Sequence, residues 1–102
     1  MLYRQGDIYI ESVAAIPESA AERQNHVLAD GELTGHQHRI TDFRSALVLE
    51  DRGQLYVNVV SEFADVVHEE HGTIQLERGL YRVWRQREFD PLFVARERYV
   101  KD

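Results

Sequence analysis

The stretch from Ala46 to Val60 constrains this chain more than any other. Ala46-Leu47-Val48-Leu49-Glu50 and Gln54-Leu55-Tyr56-Val57-Asn58-Val59-Val60 are β-prone runs on either side of Asp51-Arg52-Gly53. Two such runs joined by a short loop that ends in Gly specify an antiparallel hairpin. Apolar residues alternate along the second run, so one face of the hairpin must be buried. The rest of the chain has to supply what covers that face.

Further short runs of the same kind follow the same logic. Asp7-Ile8-Tyr9-Ile10-Glu11-Ser12-Val13, Val27-Leu28-Ala29, His36 to Ile40 and Phe63 to His68 all read as strands. Thr73-Ile74-Gln75-Leu76 and Leu80-Tyr81-Arg82-Val83-Trp84, separated by Glu77-Arg78-Gly79, read as a second hairpin. Leu92-Phe93-Val94-Ala95 after Pro91 is a candidate last strand at a sheet edge. Pro17 followed by Glu18-Ser19-Ala20-Ala21-Glu22-Arg23 allows at most one short helical turn, near residues 17–24. The expected fold is therefore all-β: a small barrel or sandwich of about seven short antiparallel strands. At 102 residues, with 43% hydrophobic side chains, residues 1–102 are expected to form one β domain rather than two undersized cores.

Charge and composition narrow the function classes. The chain has no Cys, which removes disulfides, Cys-ligated zinc and thiol nucleophiles. A net charge of −6 argues against nucleic-acid binding, which rests on cation–phosphate attraction. No apolar run reaches the roughly 18–20 residues of a membrane span, and Met1 to Gly6 carries no apolar signal segment, so a cytoplasmic protein is expected. The charge is uneven: residues 1–77 hold 5 basic and 14 acidic side chains, residues 78–102 hold 7 and 4. No Gly-x-Ser-x-Gly elbow, phosphate loop or dinucleotide fingerprint is present.

What the chain does contain is histidine in pairs. Four of its five His fall in Gly35-His36-Gln37-His38 and His68-Glu69-Glu70-His71-Gly72. On a strand, His36 and His38 share a face about 6.6 Å apart, within reach of one metal. His68 and His71 would point to opposite faces of a regular strand, so they converge only if Glu69-Glu70 forms a turn. A divalent transition metal, Zn, Mn, Fe or Ni, is the ion such imidazoles suit. The expected ligands are His36, His38 and one or both of His68 and His71. Glu69 and Glu70 are the candidate acid/base carboxylates. His26 stands apart from both pairs and is assigned to a surface or strand edge. HEEH is one residue too short for the helical HExxH arrangement of zinc proteases.

Gly35-His36-Gln37-His38 followed by Asp42 resembles the first motif of cupins. In that family an HxH pair and a nearby acidic residue bind a divalent metal inside a small β-barrel. The resemblance implies a metal-dependent enzyme or small-molecule binder, with His36, His38 and Asp42 at the metal. The second cupin motif, a Pro-x-Gly turn before a third His, is absent.

Two rival readings come from other features. Arg82, Trp84 and Arg85 lie in an Arg/Trp strip near residues 81–87 that could contact a small anionic ligand or a protein partner, making the chain a metal-free interaction module. The apolar residues between Glu88 and Val100 suggest a homo-oligomer, a homodimer in the simplest case, closed through the C-terminal segment. The His pairs could also act as a metal-free pH switch.

Overall fold

A computed structural model describes residues 1–31 and 35–86. Among the described residues there are eight strands and no helix: β1 Leu2–Gln5, β2 Ile8–Ser12, β3 Ala21–Arg23, β4 Val27–Asp30, β5 Gln37–Ile40, β6 Ala46–Asp51, β7 Gln54–Val67 and β8 Ile74–Arg85. They form one antiparallel sheet in the order β1-β2-β8-β7-β5-β4, with β6 also on β7 and β3 on β6. The fold is all-β, as the alternating runs require. Over the described residues it bends on itself in the manner of a sandwich and does not close into a barrel.

The bend explains where the expected strand list differs. Val59 and Phe63 frame a register irregularity between β7 and β8, and Gly79, with φ 153°, stands opposite Val59. Residues 54–60 and 63–68, read as two strands, fall in one bent strand that ends at Val67. The expected hairpin turn at Glu77-Arg78-Gly79 is the matching kink in β8. Tyr81 pins that kink by donating its hydroxyl to the Glu77 carbonyl at 2.6 Å. A Gly between two β runs fits a turn and a kink equally well, so composition alone does not separate them. The Asp51–Gln54 hairpin does form: both central residues, Arg52 and Gly53, have positive φ (53° and 82°), as a type I′ turn demands. At 17–24 a single turn closes, with Ala20 N–H on the Pro17 carbonyl, and the chain passes directly into β3. The candidate strand at 92–95 lies outside the described residues, as does the C-terminal segment expected to mediate oligomerisation.

The bulge matters because it changes which residues face inward. Before it, Leu55, Val57 and Val59 are buried; after it, Ala64 and Val66 are. These join Ile8, Ile10, Val48, Leu76 and Val83 in the apolar core. Changing phase from odd to even puts residue 68 in line with 64 and 66, on the inner side. On β5 the same side is taken by Ile40 and His38, both buried. The inner rows of both strands therefore run from apolar residues to histidine in the same direction.

Candidate functional site

Register brings the two histidine pairs together. Ile40 pairs with Val66 and Arg39 with Val67, so the next position along the ladder sets His38 against His68. Their rings lie 4.3 Å apart between centroids. His36 follows on the same side of β5, its ring 5.7 Å from that of His68. Beyond Val67 the strand ends and residues 69–71 bend, which returns His71 to within 4.7 Å of His68. All four imidazoles line one cleft of about 380 Å³, together with Asp7, Gly31 and Glu70.

Two glycines make room for this packing. A Cβ on Gly6 would stand 2.7 Å from His71 Nε2, and the backbone there is left-handed (φ 59°). A Cβ on Gly31 would meet His36 Cβ at 2.8 Å and His68 Nε2 at 2.9 Å. Side chains at either position would push the rings apart.

The turn carrying His68 and His71 is fastened to β5 by Glu69. Its carboxylate accepts the Gln37 backbone N–H at 2.7 Å and the Arg39 guanidinium at 2.7 Å. These bonds, the Gln37 one first, hold the Glu69 carboxyl down to about 2. Both carboxylate oxygens are thus engaged in holding the turn. Glu70 is the carboxylate that faces the cleft, with Oε1 2.8 Å from His36 Nδ1. That is an ion-pair distance, but the buried Nδ1 finds no aligned hydrogen-bond partner, so the carboxylate sits off the ring's N–H direction.

His38 is the most buried of the four at 1% exposure. Its Nδ1 lies 2.9 Å from Gln5 Oε1 and its Nε2 3.3 Å from Asp7 Oδ1. Burial, followed by the neighbouring His68, lowers its pKa to about 4 against the opposing pull of Asp7. At neutral pH the ring is therefore uncharged. His68 is oriented differently: its Nδ1 accepts the Glu70 backbone N–H at 3.0 Å, which leaves the ring proton on Nε2. Among the described residues, no three His, Asp or Glu donors form a metal cage.

Gln5 and Asp7 were not anticipated from sequence. Gln5 ends β1 and Asp7 stands in the tight connection to β2, where Gly and Asp ordinarily signal turn chemistry alone. Only the bend of the sheet carries that connection over the ends of β5 and β7. Asp42, the acid implied by the cupin resemblance, is elsewhere: its carboxylate accepts the Arg44 N–H in an exposed turn at 2.9 Å. His26 lies apart too, with Nε2 2.8 Å from the Ala46 carbonyl.

The Arg/Trp strip is engaged within the chain. Trp84 is 6% exposed and stacks on Tyr9 at 5.7 Å. Arg82 lies over the Trp84 ring at 4.4 Å and pairs with Glu11 at 2.9 Å. Arg85 reaches the Asp30 carbonyl and stands 3.8 Å from Asp7, so it ties β8 to β4 beside the histidine cleft.

Fold and site together define a small bent-sheet β domain with a histidine-lined cleft at one end. The chain belongs to the family described as a domain of unknown function, DUF8820, whose model matches residues 4–86. That span contains every residue of the cleft. No curated protein and no solved structure matches the chain.

Proposed function

We propose that this protein binds a divalent transition metal in the cleft formed by His36, His38, His68 and His71. The observation carrying this reading is the convergence of four imidazoles and two carboxylates on one cleft, at ring separations of 4.3–6.3 Å. His38 is buried beside the apolar core rather than within it, and two glycines are needed to let the rings approach. The buried His36 Nδ1, without an aligned partner, is a donor atom of the kind a cation would satisfy. Nitrogen ligands with carboxylate suit Zn, Mn, Fe or Ni and disfavour Ca and Mg. A metal bound here would act as a Lewis acid toward a small ligand. The cleft falls in the usual size range for small-molecule pockets, about 300–1,000 Å³. In this reading Glu70, 2.8 Å from His36 Nδ1, is the proton-transfer carboxylate, whereas Glu69 holds the turn.

The rival interaction-module reading rests on the Arg/Trp strip and has less support, because Trp84 is buried and both arginines have partners within the chain. Metal content of tag-free protein, with melting curves before and after EDTA, tests the proposal. About one equivalent of transition metal, or a raised melting temperature on adding one, is expected. Neither metal content nor a response to Zn²⁺, Mn²⁺, Ni²⁺ or Fe²⁺ would reject it.

A further inference from the structure

We propose that Asp7 is the oxygen ligand of the cleft's metal, and that Gln5 dictates which His38 nitrogen meets it. This rests on the metal-binding reading and adds the donor that no sequence motif marks.

The argument begins at Gln5, which is 2% exposed. Its Nε2 donates to the Val66 and Gly72 carbonyls, at 2.9 Å each. Carbonyls only accept, so the amide nitrogen must face them and Oε1 must face His38 Nδ1. An amide oxygen also only accepts, so Nδ1 carries the ring proton. In the neutral ring Nε2 is then a bare lone pair, directed at Asp7 Oδ1.

Two acceptors face each other across 3.3 Å. A charge-assisted N–H···O bond would be shorter, about 2.7–2.9 Å. Two donors each about 2.0–2.1 Å from one metal, set at a tetrahedral angle, stand about 3.3–3.4 Å apart. The observed separation is that of a coordination edge. On its other side, Asp7 Oδ2 is 3.8 Å from Arg85 Nη1, which favours Oδ1 turning toward His38. His71 supplies the next nitrogen: its ring lies 6.3 Å from that of His38, and a Cβ on Gly6, the neighbour of Asp7, would intrude on both rings, at 2.7 Å from His71 Nε2 and 3.3 Å from His38 Cε1. His38, His71 and Asp7 make a set of two imidazoles and one carboxylate, which leaves coordination positions for an exchangeable ligand rather than a closed structural shell.

Calorimetric titration of Zn²⁺ into the EDTA-treated full chain, wild type against Asp7→Asn, tests this. Asp7→Asn is expected to weaken Zn²⁺ binding tenfold or more while the metal-free melting temperature stays close to wild type. Long-range ¹⁵N NMR of the wild-type imidazoles should show His38 Nε2 bare in the metal-free protein and shifted on adding Zn²⁺. Equal affinity in the two proteins would remove Asp7 from the shell and leave the histidine cleft standing. No Zn²⁺ binding by the wild type would remove both readings. If Asp7→Asn unfolds, the NMR decides: a proton on His38 Nε2 overturns the proposal.

Discussion

The two halves of β7 face the same interior with different chemistry. From Gln54 to Val59 the inward residues are Leu55, Val57 and Val59, sealed between β6 and β8. From Phe63 onward they are Ala64 and Val66, and the row then ends in His68 at the cleft. One half is dry and closed on both edges. The other keeps β8 on one edge but meets only two residue pairs of β5 on the opposite edge, and is covered by a turn, two glycines and polar side chains. Stability and chemistry are thus divided along a single strand. A cleft needs donors that are held but not consumed by packing, and the end of an apolar row provides that.

The largest effect should come from damaging the dry half. Leu55 is buried in the core between β6 and β8, and Leu55→Ala is expected to remove about 2–5 kcal/mol of stability through lost burial and the cavity left behind. Urea unfolding of metal-free protein measures it. Zn²⁺ affinity of the folded fraction should stay near wild type, and a parallel loss of affinity would show that the halves are not separable. Gln5→Met sharpens the comparison from the other side. It deprives the Val66 and Gly72 carbonyls and His38 Nδ1 of their partner, costing about 1–3 kcal/mol for buried groups left unsatisfied. It also frees the His38 tautomer, which should weaken Zn²⁺ binding about 10–100-fold, the range seen when a ligand's supporting hydrogen bond is removed. Loss of stability with unchanged affinity would show that Gln5 serves packing only.

That division also decides what could be read without a structure. Alternation and turn chemistry exposed the Ala46–Val60 hairpin and the shared face of His36 and His38, because both depend on neighbours in sequence. The three-residue spacing of His68 and His71 correctly demanded a turn at Glu69-Glu70. The bend at Val59–Phe63 escaped notice, since a bulge in one long strand and a break between two short ones leave similar traces. Asp7 and Gln5 escaped for a stronger reason: they meet His38 across 31 and 33 residues, and only the bent sheet joins them.

Acid should break the polar end first. Unfolded histidine takes up its proton near 6.5 and folded His38 near 4, so between those values protonation favours the unfolded chain. The contribution is fully present above pH 6.5 and is lost as pH falls toward 4. The surrounding charges, His68 and His71 against it and Asp7 in favour of it, set how steep the loss is. Melting temperatures in EDTA from pH 7.5 to 4 should fall faster for wild type than for His38→Gln. Parallel curves would mean that His38 does not carry the acid sensitivity.

The smallest change in stability is expected at the Glu69 fastening, because the bonds it makes lie at the surface and exposed ion pairs contribute little. Its effect on the cleft should be disproportionate. Glu69→Gln keeps an oxygen for the Gln37 N–H and loses only the charge facing Arg39, so Zn²⁺ affinity should fall by a factor of about two to three, in keeping with the modest strength of one exposed pair. Glu69→Ala loses both contacts and lets residues 68–71 swing from β5, so its affinity should fall further while its melting temperature barely moves. Titration of the two variants side by side gives the ordering. If Glu69→Ala binds Zn²⁺ as tightly as wild type, the Glu70 N–H on His68 Nδ1 is enough to hold the turn. The polar end would then be organised by its own histidines rather than by the strand beside it.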